Sequence, residues 1–293
     1  MMRCLALAPL VGLARALAWL PPGLLLRLAG GLAWLAGPLL ARRRRVVEAN
    51  LRACFPGLDA PARERLLRDN LRETFMGAFE LLRAWYAPAF LLRGRADIEG
   101  LEHVREALDA GEGVLLFTGH FTQSELAARL LSDALGRRVR GVVRRHNQPC
   151  VEAAFERARR RVFAPTLAKK DVRGLLRALQ AGEAVVYSAD QDFSYGHAFA
   201  PFSGVPAATL ASTPALVRRA AARMLFFSFH RTPEGRYCLR LQPEWPGWRD
   251  GPPEQSTRLY MQALEAAVAQ APAQYLWAHR RFKTRPPGAA PLY

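Results

Sequence analysis

Val114-Leu115-Leu116-Phe117-Thr118-Gly119-His120-Phe121-Thr122-Gln123-Ser124-Glu125 changes character twice within one short stretch. The apolar run Val114–Phe117 has no polar alternation, which is the pattern of a strand covered on both faces of a parallel sheet. Leu126-Ala127-Ala128-Arg129-Leu130-Leu131, just beyond it, has helical spacing, and a helix is predicted over Thr122–Leu135. The turn between them carries an imidazole, with a carboxylate five positions later. Strand, turn and helix in that order are the repeating unit of an α/β sheet, whose chemistry gathers outside the carboxyl ends of the strands.

The same alternation continues on both sides. A helix runs from Asp59 to about Trp85, with Asp59 at its N-cap region, Pro61 in its first turn and Leu66, Leu67, Leu71, Phe75, Phe79 and Leu82 at three-to-four spacing. A short strand at Ile98-Glu99-Gly100 leads into a helix at Leu101–Ala110. After the opening stretch come a strand at Arg138–Arg144, helices at Pro149–Phe163 and Asp171–Leu179, and a buried strand at Ala184–Tyr187 that ends in Asp190-Gln191-Asp192. A helix at Leu210–Ala222 precedes Leu225–Phe229, and Pro233-Glu234-Gly235 turns the chain back into Tyr237–Leu241 as a hairpin. A last helix spans Ser256–Gln270. The expected class is therefore α/β, with a mostly parallel central sheet, an antiparallel edge hairpin and flanking helices. No internal repeat or low-complexity linker interrupts it.

The start of the chain departs from this plan. From Cys4 to Ala41 the only charges are Arg15 and Arg27, and Pro21-Pro22 divide the stretch into halves near the lower limit for spanning a bilayer. Arg42-Arg43-Arg44-Arg45 follows, and by the positive-inside rule it assigns the remainder to the cytoplasm. Basic residues at both ends, Arg3 included, favour a helical hairpin dipping into the membrane, or a helix lying in its interface, over a single span. Residues 1–45 thus read as a hydrophobic membrane anchor and 46–293 as the catalytic domain. A cleaved signal peptide and a buried helix pair are the competing readings.

Composition narrows the partners. The net charge of +17 comes almost wholly from arginine, lysine occurring only at 169, 170 and 283, and it calls for an anionic partner or surface. The cysteines at 4, 54, 150 and 238 lie far apart without a Cys-x-x-Cys pair, so neither a disulfide framework nor a zinc site is expected, and they read as reduced. No metal or cofactor motif is present: there is no P-loop, no His-Glu-x-x-His, no Gly-x-Ser-x-Gly elbow and no dinucleotide glycine fingerprint. Nucleic-acid motifs are also missing. A base without a nucleophile suits a transferase that activates a substrate hydroxyl toward an activated acyl donor. His120 is the candidate base and Glu125 its orienting carboxylate. Residues five apart on a helix point about 140° away from one another, so the pair meets only if His120 lies in the turn and Glu125 in the first helical turn. Thr122-x-x-Glu125 also fits a capping box with Thr122 as N-cap.

Gly119-His120-Phe121-Thr122-Gln123-Ser124-Glu125 resembles the His-x4-Asp/Glu motif of the lysophospholipid acyltransferase superfamily. Four further blocks resemble those of the bacterial late (lauroyl/myristoyl) acyltransferases of lipid A synthesis: Val143-Arg144-Arg145-His146-Asn147, Tyr187 to Asp192, Phe199-Ala200-Pro201-Phe202 and Gln274 to Pro286. The hydrophobic start and Asn50–Pro56 match as well, so the likeness covers essentially the whole chain. The chain departs from the pattern at Arg145, where Pro is common, and at Gln191, in a block that usually contains His.

The resemblance implies an acyl carrier protein thioester as donor and a lipid A precursor as acceptor. The group acylated is usually the 3-hydroxyl of an attached acyl chain, and the setting is the cytoplasmic face of a bacterial inner membrane, with no cofactor. It implies His120 as general base and Glu125 as its partner, with Arg144 near a phosphate or the thioester oxyanion. Asp190 and Asp192 are expected to hold Arg144 or a sugar hydroxyl, and Arg280 and Arg281 to bind lipid phosphate or the carrier protein. Trp277 and Tyr275 read as packing. Another lipid acceptor, or a non-catalytic basic membrane-binding protein, are the alternative readings.

Overall fold

In a computed structural model of the chain, residues 8–293 are described; Arg3 and Cys4 lie outside them. The strands are β1 (Ala96–Glu99), β2 (Val114–Thr118), β3 (Arg140–Val143), β4 (Leu167–Ala168), β5 (Ala184–Ser188), β6 (His197–Phe202), β7 (Val205–Leu210), β8 (Arg223–Arg231) and β9 (Tyr237–Pro243). Seven of them form one sheet in the order β1-β9-β8-β2-β5-β3-β4. All neighbours in it are parallel except β8 and β9. The α/β class with a mostly parallel sheet is therefore as expected. The antiparallel pair is not at the edge, because β1 adds outside β9. β2 is central and buried at every position, as its unbroken apolar run requires.

The helices are α1 (Ala8–Ala18), α2 (Pro22–Ala36), α3 (Ala41–Cys54), α4 (Ala60–Tyr86), the single turn α5 (Ala89–Leu92), α6 (Leu101–Asp109), α7 (Ser124–Leu135), α8 (Pro149–Arg159), α9 (Val172–Gln180), α10 (Thr213–Ala220) and α11 (Pro253–Gln270). Asp59 caps α4 as its sequence demands, accepting a hydrogen bond from the Ala62 amide at 2.7 Å. Gly77 lets α4 press onto the turn after β2, since a Cβ there would lie 2.6 Å from the Thr122 carbonyl oxygen.

Two further points differ from expectation. The segment before α10, predicted to begin a helix at Leu210, instead pairs as β7 with β6 in a separate antiparallel hairpin. Its turn places Ser203 and Gly204 both at positive φ (50° and 79°), the backbone that closes a two-residue hairpin loop. Pro201 and Pro206 face one another in this ribbon, where a missing amide is tolerated because there is no central ladder to interrupt. The cysteine expectation is also corrected: Cys54 and Cys238 are free, whereas Cys150 is disulfide-bonded, a pairing that spacing alone could not reveal.

The apolar start forms α1 and α2, separated at Pro21, with Pro22 in the first turn of α2 where its missing amide costs nothing. One stripe packs: Leu25 and Ala29 are buried against Met76 and Phe79 of α4. The Arg83 guanidinium seals the break by donating to the Leu20 carbonyl at 2.6 Å. The opposite face leaves Leu10, Leu13, Trp19, Leu24, Leu28, Leu32, Trp34, Leu35 and Leu39 exposed, Trp34 by 82% and Leu39 by 87%. Among the described residues no single helix is long and apolar enough to cross a membrane. Pro22–Ala36 and Pro38–Cys54 meet that measure together, bent by 66°. Soluble surfaces rarely leave so much contiguous apolar side chain uncovered, and such patches mark contacts with lipid or protein.

Candidate active site

β2 and β5 are parallel neighbours in register, Thr118 opposite Ser188, so the residues that follow them leave the sheet side by side at its carboxyl edge. That register brings His120 to Asp190. The His120 backbone amide donates to Asp190 Oδ2 at 2.8 Å, and His120 Nδ1 meets Oδ1 at 2.5 Å. The Tyr275 phenol donates to Oδ2 at 2.9 Å. Gly119, just before the histidine, sits close under the site: a Cβ there would push the Leu264 side chain aside from 2.4 Å and stand 3.2 Å from Asp190 Oδ2.

Asp190 is 3% exposed. Burial alone would raise its pKa. The adjacent imidazole, through charge and hydrogen bonds, reverses this and holds the carboxyl well below the usual carboxylate range. An ionised carboxylate only accepts, so the proton between the two rests on Nδ1. For His120, burial pushes the pKa down, while the Asp190 charge and hydrogen bond more than offset it and leave it raised. Nε2 is then the basic nitrogen.

Nε2 faces the Gln191 side-chain nitrogen at 3.3 Å, and the Lys169 ammonium donates to Gln191 Oε1 at 2.8 Å. Lysine can only donate, so Lys169 fixes which end of the Gln191 amide turns to the histidine. Lys169 leaves β4 beside β3, its amide donating to the Val143 carbonyl at 2.9 Å. Arg144 follows Val143 directly and is exposed. Burial first, and the Arg144 charge second, lower the Lys169 pKa, so the two cations share one rim of the site. Asn50, Leu276 and His279 bound the small hollow beside His120 and Gln191.

Glu125 is elsewhere occupied. Trp85 Nε1 donates to its Oε2 at 2.5 Å, and Arg159 Nε and Nη2 donate to its Oε1 at 3.0 and 2.6 Å. The expected His120–Glu125 pairing is not formed, because the neighbouring parallel strand delivers a closer carboxylate. Nor is there a capping box: α7 begins at Ser124 after Gln123, without a side-chain cap. Ser124 instead closes the turn on Phe121, its hydroxyl donating to the Phe121 carbonyl at 2.6 Å.

The remaining candidates divide. Asp192 accepts from the amide and hydroxyl of Thr284, both at 2.9 Å, and its own amide donates to His279 Nε2 at 3.0 Å. It pins the carboxyl-terminal segment rather than holding Arg144. Arg281 is 2% exposed and donates to the Ala208 carbonyl at 2.8 Å, the Gln191 carbonyl at 3.3 Å and the Thr209 hydroxyl. It is a buried brace behind the Asp190–Gln191 loop, out of reach of lipid phosphate. Arg280 is exposed, its guanidinium 5.6 Å from the centre of the Tyr293 ring. Trp277 packs as expected, whereas Tyr275 packs and also holds Asp190. Among the described residues no group of three or more His, Cys, Asp or Glu could hold a metal ion.

Lys169 and the Tyr275 phenol escaped the sequence reading. The available signal for Asp190 as partner was that two buried strands, Val114–Phe117 and Ala184–Tyr187, both end in polar residues at one sheet edge.

Residues 6–284 match the profile of the family described as bacterial lipid A biosynthesis acyltransferase. The chain is 35% identical over 278 residues to the lipid A biosynthesis palmitoleoyltransferase of Escherichia coli K12, covering 94% of this chain and 90% of that protein. It is 32% identical over 288 residues to the lauroyltransferase of the same strain, covering 97% and 93%. With that strain's myristoyltransferase it shares 24% over 267 residues, covering 88% and 80%. The match runs from the apolar helices through the histidine turn to the segment that carries Tyr275 and Arg281, and the chain belongs to the bacterial lipid A biosynthesis acyltransferase family.

Proposed function

We propose that the protein transfers a fatty acyl group from an acyl carrier protein thioester to a hydroxyl of a lipid A precursor, the 3-hydroxyl of an acyl chain already attached. The observation that carries this reading is the His120–Asp190 pair at the carboxyl edge of the sheet, with Nε2 as its basic nitrogen. Nε2 takes the acceptor's proton while its oxygen attacks the thioester carbonyl. Asp190 stays ionised and stabilises the imidazolium, as the carboxylate of a catalytic triad does. The tetrahedral oxyanion that forms faces fixed positive charge, and Lys169 and Arg144 are the cations on that rim. Collapse breaks the carbon–sulfur bond, and the departing thiolate recovers the proton from Nε2.

In this reading the Gln191 amide holds the acceptor hydroxyl's place until that hydroxyl arrives. Residues 1–45 anchor the enzyme at the cytoplasmic face of the inner membrane, and residues 46–293 form the acyltransferase domain. The exposed leucines and Trp34 of α1 and α2, followed by Arg42–Arg45, support that placement. The net charge of +17 suits phosphorylated lipid and an acidic carrier protein.

Purified protein incubated with a panel of acyl carrier protein thioesters and a tetraacylated precursor should yield a product heavier by one acyl chain in the mass spectrum. His120→Ala should lower the rate by about 10²–10⁴-fold. No mass gain with any acceptor lipid would overturn the transferase reading, and full activity in His120→Ala would overturn the mechanism.

A further inference from the structure

A second concave site lies away from His120. It is a cleft of about 560 Å³ between α7, the edge strand β1 and the turn α5, a size suited to a small ligand or a headgroup rather than to a protein surface. It opens along the later turns of α7, from Arg129 to Gly136. At 1.5 Å per residue its middle is roughly 13 Å from the start of that helix. Its floor is apolar, with Leu92 and Leu130 buried.

The walls carry Arg93, Arg129, Arg137, Arg138 and Arg161. Arg129 is neutralised by Asp133 and Arg137 by Asp109, both at 2.8 Å. The other three have no carboxylate partner among the described residues. Arg138 donates to the carbonyls of Arg160 and Arg161, and Arg161 lies 6.0 Å from the centre of the Tyr86 ring. Three uncompensated guanidiniums around one hollow make a site for a doubly liganded oxyanion, and guanidinium groups suit phosphate oxygens geometrically.

The location selects the source of the phosphate. The turn that walls the cleft with Ala89 and Leu92 also carries Phe90, 62% exposed and in edge contact at 5.9 Å with Trp19, in the turn just after α1. Arg15 of α1 lies over the same Tyr86 ring as Arg161, 5.8 Å from its centre. The cleft and the exposed apolar face thus meet at one turn. We infer that the cleft binds the phosphodiester headgroup of an anionic bilayer lipid, distinct from the acceptor that reacts at His120. This rests on the membrane-surface part of the proposed function.

The test compares flotation of the full chain, diluted from detergent, with vesicles of phosphatidylcholine alone and with vesicles containing phosphatidylglycerol. The wild type should favour the anionic vesicles by about tenfold or more. Arg93→Ser/Arg161→Ser should lose most of that preference and Arg93→Lys/Arg161→Lys should keep most of it, both with unchanged far-ultraviolet circular dichroism. Arg42→Ser/Arg45→Ser, which removes the same charge from α3, should lose clearly less. Equal losses in the two serine doubles would assign the preference to the general basic field and overturn the cleft. So would effective competition by millimolar glycerol 3-phosphate, which would mark a soluble-phosphate site. Unchanged flotation of the cleft variant with weakened binding of the acidic carrier protein would overturn the lipid assignment in favour of the protein. Flotation with neither vesicle would overturn the membrane reading itself, whereas equal flotation with both would leave that reading standing and remove only the headgroup site.

Discussion

A carboxylate against Nδ1 of an imidazole does two things that can be measured separately: it orients the ring, and it stabilises the protonated form. At His120 that carboxylate belongs to Asp190, and burial works against it. In the proposed mechanism the base acts unprotonated, so activity should rise with pH through the raised His120 pKa. Replacing Asp190 by Asn removes the attraction and leaves the burial, so the acidic limb of the kcat/KM profile should move to lower pH as the plateau falls by about 10²-fold or more. Glu125→Gln, which loosens Trp85 and Arg159 instead, should slow the enzyme without moving that limb. A shift with Glu125→Gln and none with Asp190→Asn would reverse the assignment. His120 itself was legible in the sequence, because a strand–turn–helix boundary is a local pattern. Its partner was not, because Asp190 is 70 residues away and only the pairing of β2 with β5 makes them neighbours. Lys169 looked like any surface lysine, and its meaning depends on Gln191 across the sheet edge.

At the scale of elements, the site is closed by an irregular segment that two helices hold by side chains alone. Asn70 of α4 donates to the carbonyls of Ala273 and Tyr275 at 2.7 and 2.8 Å. Asn50 of α3 donates to those of Trp277 and His279 at 2.7 and 2.8 Å. Each amide spends both its hydrogens on alternate carbonyls of a stretch with almost no ladder of its own. That stretch in turn meets the histidine turn, the Leu276 amide donating to the His120 carbonyl at 3.0 Å and the Thr122 amide to Gln274 at 2.9 Å. Asn70→Ala takes the side-chain donor from the Ala273 carbonyl and leaves the Tyr275 carbonyl with the Trp277 amide alone, and should cost about 1–3 kcal/mol in urea unfolding, with activity lost well below the melting temperature. An unchanged midpoint would show that water replaces the amide freely. In the sequence, Asn50 and Asn70 are polar interruptions of amphipathic helices, indistinguishable from solvent-facing residues. The β6–β7 hairpin was hidden for another reason: its prolines argue against strands unless the strands form an isolated pair.

For the whole molecule, a buried polar network ties these parts together. Arg231 of β8 donates to Glu80 Oε1 at 3.0 Å and also to Glu73, and the Tyr237 phenol of β9 reaches Glu80 Oε1 at 2.7 Å. The Arg231 amide donates to Gln274, which accepts from Gln123 beside the histidine turn. Burial pushes the Glu80 carboxyl up to about 7, outweighing the attraction of Arg231. A raised acid favours the folded state below its ordinary pKa of 4.5 and loses that contribution as pH climbs to about 7. The melting temperature in detergent should therefore carry a component that falls between pH 5 and 7, and Glu80→Gln should flatten it. The same slope in the variant would assign it to other groups. Residues 1–45 were read from composition as an anchor. Composition did not say that one stripe of α2 is committed to α4 while the other side is left bare.

The contacts that finish the histidine turn join positions very far apart in the chain: Gln123 to Gln274 across 151 residues, and Asn70 to Tyr275 across 205. Synthesis delivers these partners in a fixed order. The leucine-faced helices and α4 emerge early, the base follows, and the strip that locks it arrives late. A nascent chain therefore exposes its greasy surface long before it owns a working centre. With residues 1–45 as the proposed anchor, the chain would settle on lipid first and become competent there, so a chain cut short before residue 274 should be delivered but inert.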